Sequence, residues 1–210
     1  MRKSTAFALT AVLTISLGVG VSTAIFSVAH AVLLRPLPYK EPARLVVVFG
    51  DFRKRGVTDW PFSDANFIDL RNGAKATFED FGAVFTDRAI LPSEDGTPEQ
   101  VRTATVTPNF FRLLGARIAF GRDFIDADGE LQPKAGSAPG VQSPKRLPTI
   151  AILSYEYWQR RYAGNPAVLG HKTKNGAQIV GVLSPEFELF FPPDFDIERN
   201  PDIWIAAHLN

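Results

Sequence analysis

Apolar side chains dominate the start of the chain, where residues 4–34 carry no acidic or basic side chain apart from His30. A helix of about 20 apolar residues crosses the hydrocarbon core of a bilayer. The stretch from Phe7 to Val28 reaches that length. The pattern therefore predicts a cytoplasmic tail over residues 1–5 and one transmembrane helix over residues 6–34.

A cleavable signal peptide is the alternative interpretation of the same segment. Two basic residues precede the apolar run, and small-residue cleavage patterns occur at residues 22–24 and 29–31. The uncharged run is longer than a signal peptide requires, which favours a retained anchor. Whether residues 1–31 are kept or removed stays open, but both interpretations place the chain after about residue 40 outside the cytoplasm.

The first part of the remaining chain predicts a stalk followed by a β-strand and a helix. Prolines in residues 35–44 cannot continue the helix and predict an extended stalk. The continuous apolar, β-branched run from Leu45 to Phe49 predicts a strand buried on both faces, at the centre of a sheet. Ser63 is the predicted N-cap of a helix that runs through Arg71 and stops at Gly73.

Alternating apolar residues then predict a hairpin. A strand through Ala83–Phe85 is expected first, and Ala89–Leu91 and Gln100–Val106 follow on either side of the turn-forming Asp95-Gly96 pair. The apolar residues of the second arm can be sorted to one face only with a β-bulge, so its register is left open.

A short helix and a flexible loop are predicted next. Thr107 is the expected N-cap of a helix over residues 108–114, with proline at its first position and Gly115 at its end. Residues 129–148 contain four prolines and three glycines. Such a composition buries too little apolar surface to order itself, so we expect a flexible loop there.

The last part of the chain repeats the strand-then-helix pattern. Thr149–Leu153 predicts a second buried strand, and Ser154 caps a predicted helix from Tyr155 to Tyr162. A hairpin is expected over residues 172–183 with an Asn-Gly turn, and residues 203–205 form the expected terminal strand. The predicted fold class is α+β, with one transmembrane helix followed by an extracytoplasmic domain of βα units and hairpins.

Composition and charge narrow the function. The chain has 210 residues and no cysteine, which excludes disulfides, thiolate metal sites and a cysteine nucleophile. Its 23 basic and 22 acidic residues are nearly balanced, so a nucleic-acid-binding domain is not expected. No G-x-x-x-x-G-K-[ST] string is present, so we do not expect the chain to hydrolyse ATP.

Candidate chemical groups are few and scattered. The histidines, His30, His171 and His208, lack the spacing of metal ligands. An acidic patch resembles a calcium loop but lacks oxygen ligands at two of the required positions, so surface solvation or N-capping explains it better. The patch consists of Asp123, Asp126, Asp128 and Glu130.

An exposed aromatic surface is a further candidate, because the chain has 17 phenylalanines. The residues considered are Phe110, Phe111, Phe187, Phe190 and Phe191. Core packing is the commoner fate of such side chains and is the preferred interpretation. No catalytic, cofactor-binding or metal-binding residue is predicted, no cofactor is expected, and the protein is not expected to be an enzyme.

Several short strings are distributed over nearly the whole chain. They are Ser22–Val28, Ala31–Tyr39, Asn109–Gly115, Gly121–Phe124, Leu153–Tyr155, Trp158–Tyr162, Val168–Gly170, Asn175–Gly176, Val180–Val182, Pro185 and Asp202–Trp204. Taken together these strings are specific, and they resemble one protein family, the MacB-like periplasmic core domain of ABC transporter permeases.

The resemblance implies a periplasmic core domain over residues 45–210 that binds partner proteins or substrate and transmits ATP-driven motion in an export or mechanotransmission permease. It implies an inner-membrane location and, as partners, the lipid bilayer, an ABC ATPase subunit and further permease helices in trans, with a periplasmic adaptor as another candidate. The segment from Gly170 to Gly181 is shorter than the family pattern, and no later membrane helix precedes Asn210. We therefore expect a truncated chain that does not transport alone; a freestanding anchored or secreted binding module is the alternative.

Overall fold

The fold is described from a computed structural model. Its described residues are 5–29, 37–52, 57–60, 62–92, 97–132, 146–192, 195 and 197–209. The chain divides into two compact units, residues 1–38 and 39–210. The first contains helix α1 (Thr5–Ala29), within which Phe7–Ser27 is long and apolar enough to cross a membrane. The predicted apolar helix is thus confirmed over its described part, while residues 30–34 lie outside the described range.

The second unit is built around a sheet of six strands, and a separate pair of short strands precedes it. The strands are β1 (Gly50–Phe52), β2 (Val57–Trp60), β3 (Val84–Pro92), β4 (Pro98–Val106), β5 (Ile118–Gly121), β6 (Ile150–Leu153), β7 (Gln178–Leu183) and β8 (Ile203–Ala206). β1 pairs with β2, and the large sheet has the order β3-β4-β8-β6-β7-β5. Parallel pairs β4–β8 and β6–β7 alternate with antiparallel ones, so the sheet is mixed.

Buried residues lie on both faces of the interior strands β4, β8, β6 and β7, where successive residues point to opposite sides of the sheet. Ile152 and Trp204 pack on one face, together with helix α3 (Phe110–Leu114). Ala151 and Ile203 pack on the other, under helix α4 (Tyr155–Tyr162). The α+β class predicted from the sequence is confirmed, with the sheet lying between two layers.

Two predicted helix starts are confirmed by their hydrogen bonds. The Ser63 side chain accepts from the Asn66 N–H at the start of helix α2 (Asp64–Gly73). The Ser154 side chain accepts from the Tyr157 N–H at the start of α4. In both cases a serine in extended backbone satisfies an otherwise free helical N–H.

The predicted cap of the third helix is wrong. Thr107 precedes a turn, and α3 begins only at Phe110, with Asn109 as N-cap and no side-chain cap bond. The Thr107 hydroxyl instead accepts from the Ala83 N–H at 3.2 Å, which ties the end of β4 to the residue before β3. A tertiary hydrogen bond has replaced the local one that the sequence favours. The predicted end at Gly115 is confirmed, with φ at 72°.

The predicted central strand from Leu45 to Phe49 is also wrong. This segment forms no helix or strand, and Val46, Val47 and Val48 are 63%, 55% and 41% exposed. Leu45 alone of these five packs against the core. The interior strands of the six-stranded sheet are β4, β8, β6 and β7. The segment Leu45–Phe49 is not one of them, although its apolar sequence is typical of a buried strand.

The predicted hairpin is confirmed as β3 and β4, and the expected strand at Ala83–Phe85 merges with its first arm. Pairing runs without a bulge from Val84 opposite Val106 to Pro92 opposite Pro98. A bulge is unnecessary because β4 lies inside the sheet and has apolar neighbours on both faces. The predicted Asp95-Gly96 turn lies outside the described residues.

The predictions for the last part of the chain, and for the loop that precedes it, are confirmed in part. The strand at 149–153 is confirmed as β6, and the terminal strand as β8. Within the hairpin predicted over residues 172–183, the first arm is a single bridge from Lys172 to Gln178 rather than a strand. Most of the predicted loop at 129–148 lies outside the described residues; at its described ends, the Gln132 side chain exchanges two hydrogen bonds with the Leu147 backbone.

The aromatic core predicts a large effect for one substitution. Phe111 is 0% exposed and contacts Phe124, Phe187 and Trp204. We expect Phe111→Ala to lower the free energy of unfolding by about 3–5 kcal/mol, because it removes a ring and leaves a cavity. Urea unfolding of the detergent-solubilised full chain, followed by tryptophan fluorescence, measures this change.

Phe85→Ala is the matched control, since Phe85 is 59% exposed. We expect it to cost less than about 1 kcal/mol. Equal effects of the two substitutions would contradict the assignment of Phe111 to the core.

Candidate functional site

The groups considered from sequence do not converge on a reactive centre. Within the described residues, no group of three or more histidine, cysteine or acidic side chains is placed to hold a metal ion. His171 is exposed, while the His208 Nδ1 atom lies 2.6 Å from the Glu130 carbonyl oxygen. His30 lies outside the described residues.

The acidic patch serves as caps and ion pairs. Asp123 accepts from the Phe124 N–H at 2.7 Å, and the exposed Asp126 pairs with Arg112 at 2.9 Å. Asp128 differs, because it is buried and receives both Arg122 Nη atoms at 2.6 and 3.0 Å. The Asp123 bond joins neighbouring residues and caps no helix. Asp128 forms a buried ion pair and also accepts from the Ile125 N–H at 2.9 Å at the start of the 3-10 helix Asp126–Gly129, so the capping interpretation fits Asp128.

The phenylalanines considered as a binding surface pack inward. Phe110 and Phe111 are 4% and 0% exposed, and Phe187 and Phe191 are partly buried against the same core cluster. The guanidinium of Arg199 lies 4.4 Å from the ring centre of Phe190. The preferred interpretation, core packing, is confirmed for Phe110 and Phe111.

The first residue of the second unit, Tyr39, is fixed into this aromatic region. Its hydroxyl donates to the Glu188 carbonyl oxygen at 3.1 Å and accepts from the Phe190 N–H at 2.7 Å. Its ring lies 6.4 Å from Phe187 and 6.3 Å from Phe190, centre to centre. Burial raises the pKa of the Tyr39 hydroxyl, while the hydrogen bond from Phe190 opposes that rise. Tyr39 therefore holds the segment 187–190 by both its ring and its hydroxyl.

The next residue is held by the end of α3. The Lys40 N–H donates to the Leu114 carbonyl oxygen at 2.8 Å. Gly115 follows in left-handed backbone, where a β-carbon would lie 2.6 Å from the Lys40 Cβ. Only glycine combines that backbone conformation with so close an approach. We call Tyr39, Lys40, Leu114, Gly115 and the segment 187–190 the Tyr39 junction.

This arrangement corrects the expected stalk. Residues 35–44 were predicted to be extended, yet the chain from Tyr39 onward belongs to the second compact unit. The Pro-rich sequence disfavours a continuing α-helix, and Pro42–Arg44 form a short 3-10 helix. The sequence carries no information on contacts with residues about 150 positions away. The one sequence feature that could have indicated these contacts is the tyrosine at the end of the string Arg35-Pro36-Leu37-Pro38-Tyr39.

A buried carboxylate fixes the other side of the sheet. Asp202 is 2% exposed, and its carboxylate accepts from the Arg102 N–H, Nε and Nη2 at 2.9, 3.0 and 2.8 Å. Arg160 Nη2 of α4 donates to the same group at 3.1 Å. The Asp202 N–H donates to the Arg102 carbonyl oxygen, and the Asp202 carbonyl oxygen accepts from the Ser154 N–H.

The charge state of this carboxylate follows from its partners. Burial alone raises the pKa of Asp202, but the hydrogen bonds from Arg102 and Arg160 outweigh burial and hold it below its ordinary value. The same balance, with Arg122 as partner, lowers the pKa of Asp128. Both carboxylates are therefore charged at neutral pH and act as fixed ties, a role that sequence spacing did not indicate.

Comparison with known proteins identifies the family of the chain. A family model described as the MacB-like periplasmic core domain matches residues 8–208. No curated protein matches the sequence significantly. Among solved structures, the chain is similar to the periplasmic region of MacB from Actinobacillus actinomycetemcomitans, with 14% identity and a TM-score of 0.44, over 76% of this chain and 71% of that one.

Two further solved structures are similar. One is a domain described as part of a permease protein from Porphyromonas gingivalis, with 16% identity and a TM-score of 0.37, over 65% of this chain and 55% of that one. The other is the extracellular domain of the noncanonic ABC-type transporter YknZ from Gram-positive bacteria, with 12% identity and a TM-score of 0.42, over 69% and 62%. The chain spans less than two thirds of the length of these two structures.

Removing the buried charge should destabilise the domain. We expect Asp202→Asn to lower the free energy of unfolding by about 2–3 kcal/mol, since two arginines lose a charged acceptor but remain partly accessible to water. Asp126→Asn is the matched control, because its side chain is 87% exposed and exposed ion pairs contribute little. Similar losses from both substitutions would contradict a special role for Asp202.

The pH dependence of unfolding follows from the same group. A carboxylate with a lowered pKa contributes stability fully above its unfolded pKa of about 4, and loses that contribution as pH falls through its folded pKa. Wild-type stability should therefore fall below about pH 4. The free energy of unfolding of Asp202→Asn should fall less steeply with decreasing pH than that of the wild type. Parallel plots of the free energy of unfolding against pH for the two proteins would contradict this linkage.

Tyr39→Phe tests the Tyr39 junction. The substitution leaves the Phe190 N–H without its acceptor, which we expect to cost about 1–3 kcal/mol and to speed hydrogen exchange at that amide. Tyr155→Phe is the control, because its hydroxyl accepts from the exposed Gln159 side chain. Unchanged exchange at Phe190 in Tyr39→Phe would contradict the junction.

Proposed function

The chain belongs to the family of MacB-like periplasmic core domains, and on that basis we propose that it is the membrane-anchored domain of an ABC-type export or mechanotransmission permease. In this proposal α1 is a retained single-pass anchor in the inner membrane, and the second unit lies in the periplasm. The observation that carries the proposal is the extent of the family match. It begins at residue 8, inside α1, and continues to residue 208.

The energy for such a permease comes from other polypeptides in this proposal. The sequence lacks the G-x-x-x-x-G-K-[ST] string that holds the phosphates of a nucleotide. Within its described residues, the chain has one candidate membrane span. We propose an ABC ATPase subunit, which hydrolyses the nucleotide, and further permease helices in trans as partners of the chain. A periplasmic adaptor protein is a further candidate partner of the domain.

The Tyr39 junction supports a role in transmitting motion. A displacement of the chain just before Tyr39 acts on a residue that is held by two hydrogen bonds and two aromatic contacts. Lys40, directly after it, is bound to the end of α3. A slack linker would absorb such a displacement, whereas these contacts pass it to the segment 187–190 and to α3.

A freestanding anchored or secreted binding module is the second candidate. The observation that favours it is the pair of small-residue cleavage patterns at the end of the apolar run. This candidate predicts a processed chain with no transporter partners.

Isolation from native membranes separates the two candidates. The full chain with a carboxyl-terminal affinity tag is extracted in mild detergent, and its partners and intact mass are measured by mass spectrometry. The proposal expects an unprocessed chain together with an ABC ATPase and a multi-span permease subunit, and ATP hydrolysis by the isolated complex. An unpartnered chain, or one recovered from the soluble periplasmic fraction, would contradict it.

A cleavage-blocking variant is the matched control for the anchor. Replacing the small residues Ala24 and Ala31 with leucine removes both cleavage patterns while preserving the apolar run. If α1 is an anchor, the mass of the chain, apart from the substitutions, and its membrane fraction stay unchanged. If α1 is a signal peptide, the variant retains a segment that the wild type loses.

A further inference from the structure

Residues 106–115 lie between two parts of the second unit that are distant in sequence. They comprise the last residue of β4, a turn and helix α3, and they end at Gly115. At Gly115 they contact the chain as it enters the unit. At residue 106 they contact the chain directly after β8. We call residues 106–115 the α3 link.

The end of the α3 link holds Lys40 by its backbone. The Lys40 N–H donates to the Leu114 carbonyl oxygen at 2.8 Å. A β-carbon on Gly115 would lie 2.6 Å from the Lys40 Cβ and 3.3 Å from the Lys40 nitrogen. The positions of these atoms are set by the backbone and not by a flexible side chain. A movement of the chain at Lys40 therefore acts directly on the end of the link.

The start of the α3 link holds Ala207, the first residue after β8. The Ala207 N–H donates to the Val106 carbonyl oxygen at 2.8 Å. Gly129 lies between Ala207 and the ring of Pro108, and a β-carbon on Gly129 would lie 2.9 Å from the Ala207 carbonyl oxygen and closer still to the ring. Ala207 is thus bonded to one residue of the link and packed, through Gly129, against another.

A short 3-10 helix, Asp126–Gly129, strengthens the connection at this end. The Arg112 guanidinium of α3 pairs with Asp126 at 2.9 Å. The Glu130 carbonyl oxygen lies 2.6 Å from the Nδ1 atom of His208. Since a carbonyl oxygen only accepts hydrogen bonds, this Nδ1 atom carries the proton. The segment 126–130 therefore contacts both α3 and the chain after β8.

The middle of the α3 link is packed into the aromatic core. Phe110 and Phe111 are 4% and 0% exposed. The ring centre of Phe111 lies 5.2 Å from that of Trp204 and 5.8 Å from that of Phe124. Close-packed interiors have low compressibility, so such a segment moves as a body instead of absorbing a displacement at one end.

The segment 187–190 of the Tyr39 junction leads to the opposite end of β8. Glu188 pairs with Arg199 at 2.7 Å, and the Leu189 N–H donates to the Arg199 carbonyl oxygen at 3.0 Å. Arg199 precedes β8, whereas Ala207 follows it. Of the two parts of the Tyr39 junction, the end of α3 is therefore the one that leads to Ala207.

We propose that the α3 link couples the backbone at Lys40 to the backbone at Ala207, so that loosening or displacing one of them changes the other. Such a coupling is a free energy shared by the two sites, and it acts equally in both directions. The use of this coupling to transmit motion in a permease rests on the proposed function, but the coupling itself does not.

Hydrogen exchange tests the coupling, measured for single amides by NMR on the detergent-solubilised full chain. Gly115→Ala places a β-carbon against Lys40 in left-handed backbone and so strains that end of the link. The Gln178 amide, which donates to the Thr149 carbonyl oxygen at 2.8 Å, reports opening elsewhere in the sheet. We expect the exchange rate of the Ala207 amide, divided by that of Gln178, to rise at least about threefold over wild type.

Gly164→Ala is the matched control. Gly164 also has left-handed backbone and lies just beyond a helix, α4, but its near neighbours are side-chain atoms of Gln159. We expect this variant to leave the ratio of the Ala207 and Gln178 rates at its wild-type value. An unchanged ratio in Gly115→Ala, or an equal rise in both variants, would overturn the proposal, since a loss of global stability accelerates both amides alike.

The reverse direction provides an independent measurement. Gly129→Ala crowds Pro108 and Ala207, and we expect it to speed exchange of the Lys40 amide relative to Gln178 by a similar factor. Urea unfolding shows whether the variant folds; if it does not, Pro108→Ala removes the ring from the same contact and takes its place. An unchanged Lys40 ratio in the folded variant would overturn the proposal. Failure to find an ATPase partner, by contrast, would affect only the proposed function.

Discussion

A buried carboxylate, Asp202, joins the elements on which the rest of the domain depends. Its side chain binds arginines from β4 and α4, and its backbone bonds to Arg102 and Ser154. β8, the strand that follows, lies between β4 and β6 and completes the sheet. The carboxylate binds Arg102, which lies 100 positions away in the sequence. It thereby connects the β3–β4 hairpin to the unit formed by β6 and α4. A buried charge tolerates such a position only when several donors surround it.

The opposite face of the sheet is held by aromatic packing. Trp204 contacts Phe110, Phe111 and Phe187, and Tyr39 extends this region toward the point where the chain enters the domain. The entering residue is therefore connected to the core through side chains rather than through a flexible linker. Close packing of this kind transmits displacement, because interiors have low compressibility. The proposed transmission of motion uses this connection, whereas the fold depends on the Asp202 tie.

Local signals predicted much of the secondary structure. Ser63 and Ser154 identified helix starts, since an N-cap acts over only three residues. The alternation of β3 and β4 identified a hairpin, although burial on both faces of β4 hid its register. The helix cap predicted at Thr107 is wrong, because the Thr107 hydroxyl accepts from the Ala83 N–H and not from an N–H of the following helix. The central strand predicted at Leu45–Phe49 is wrong. Apolar character indicates that a segment tends to be buried, but it does not determine which segments form the interior strands of the sheet.

The sequence by itself determined the apolar helix, the α+β class, most strands and helices, and the family resemblance, because each depends on patterns within short stretches. Only the tertiary structure decided the strand order and the exposure of the valines. It also decided the partners of Tyr39 and Asp202. These features join residues far apart in the sequence. The Phe190 N–H donates to the Tyr39 hydroxyl 151 positions away, and Asp202 accepts from Arg102 and Arg160, 100 and 42 positions away. Side-chain type limits which partners are possible, but the distance between two such residues is set by the folded chain as a whole.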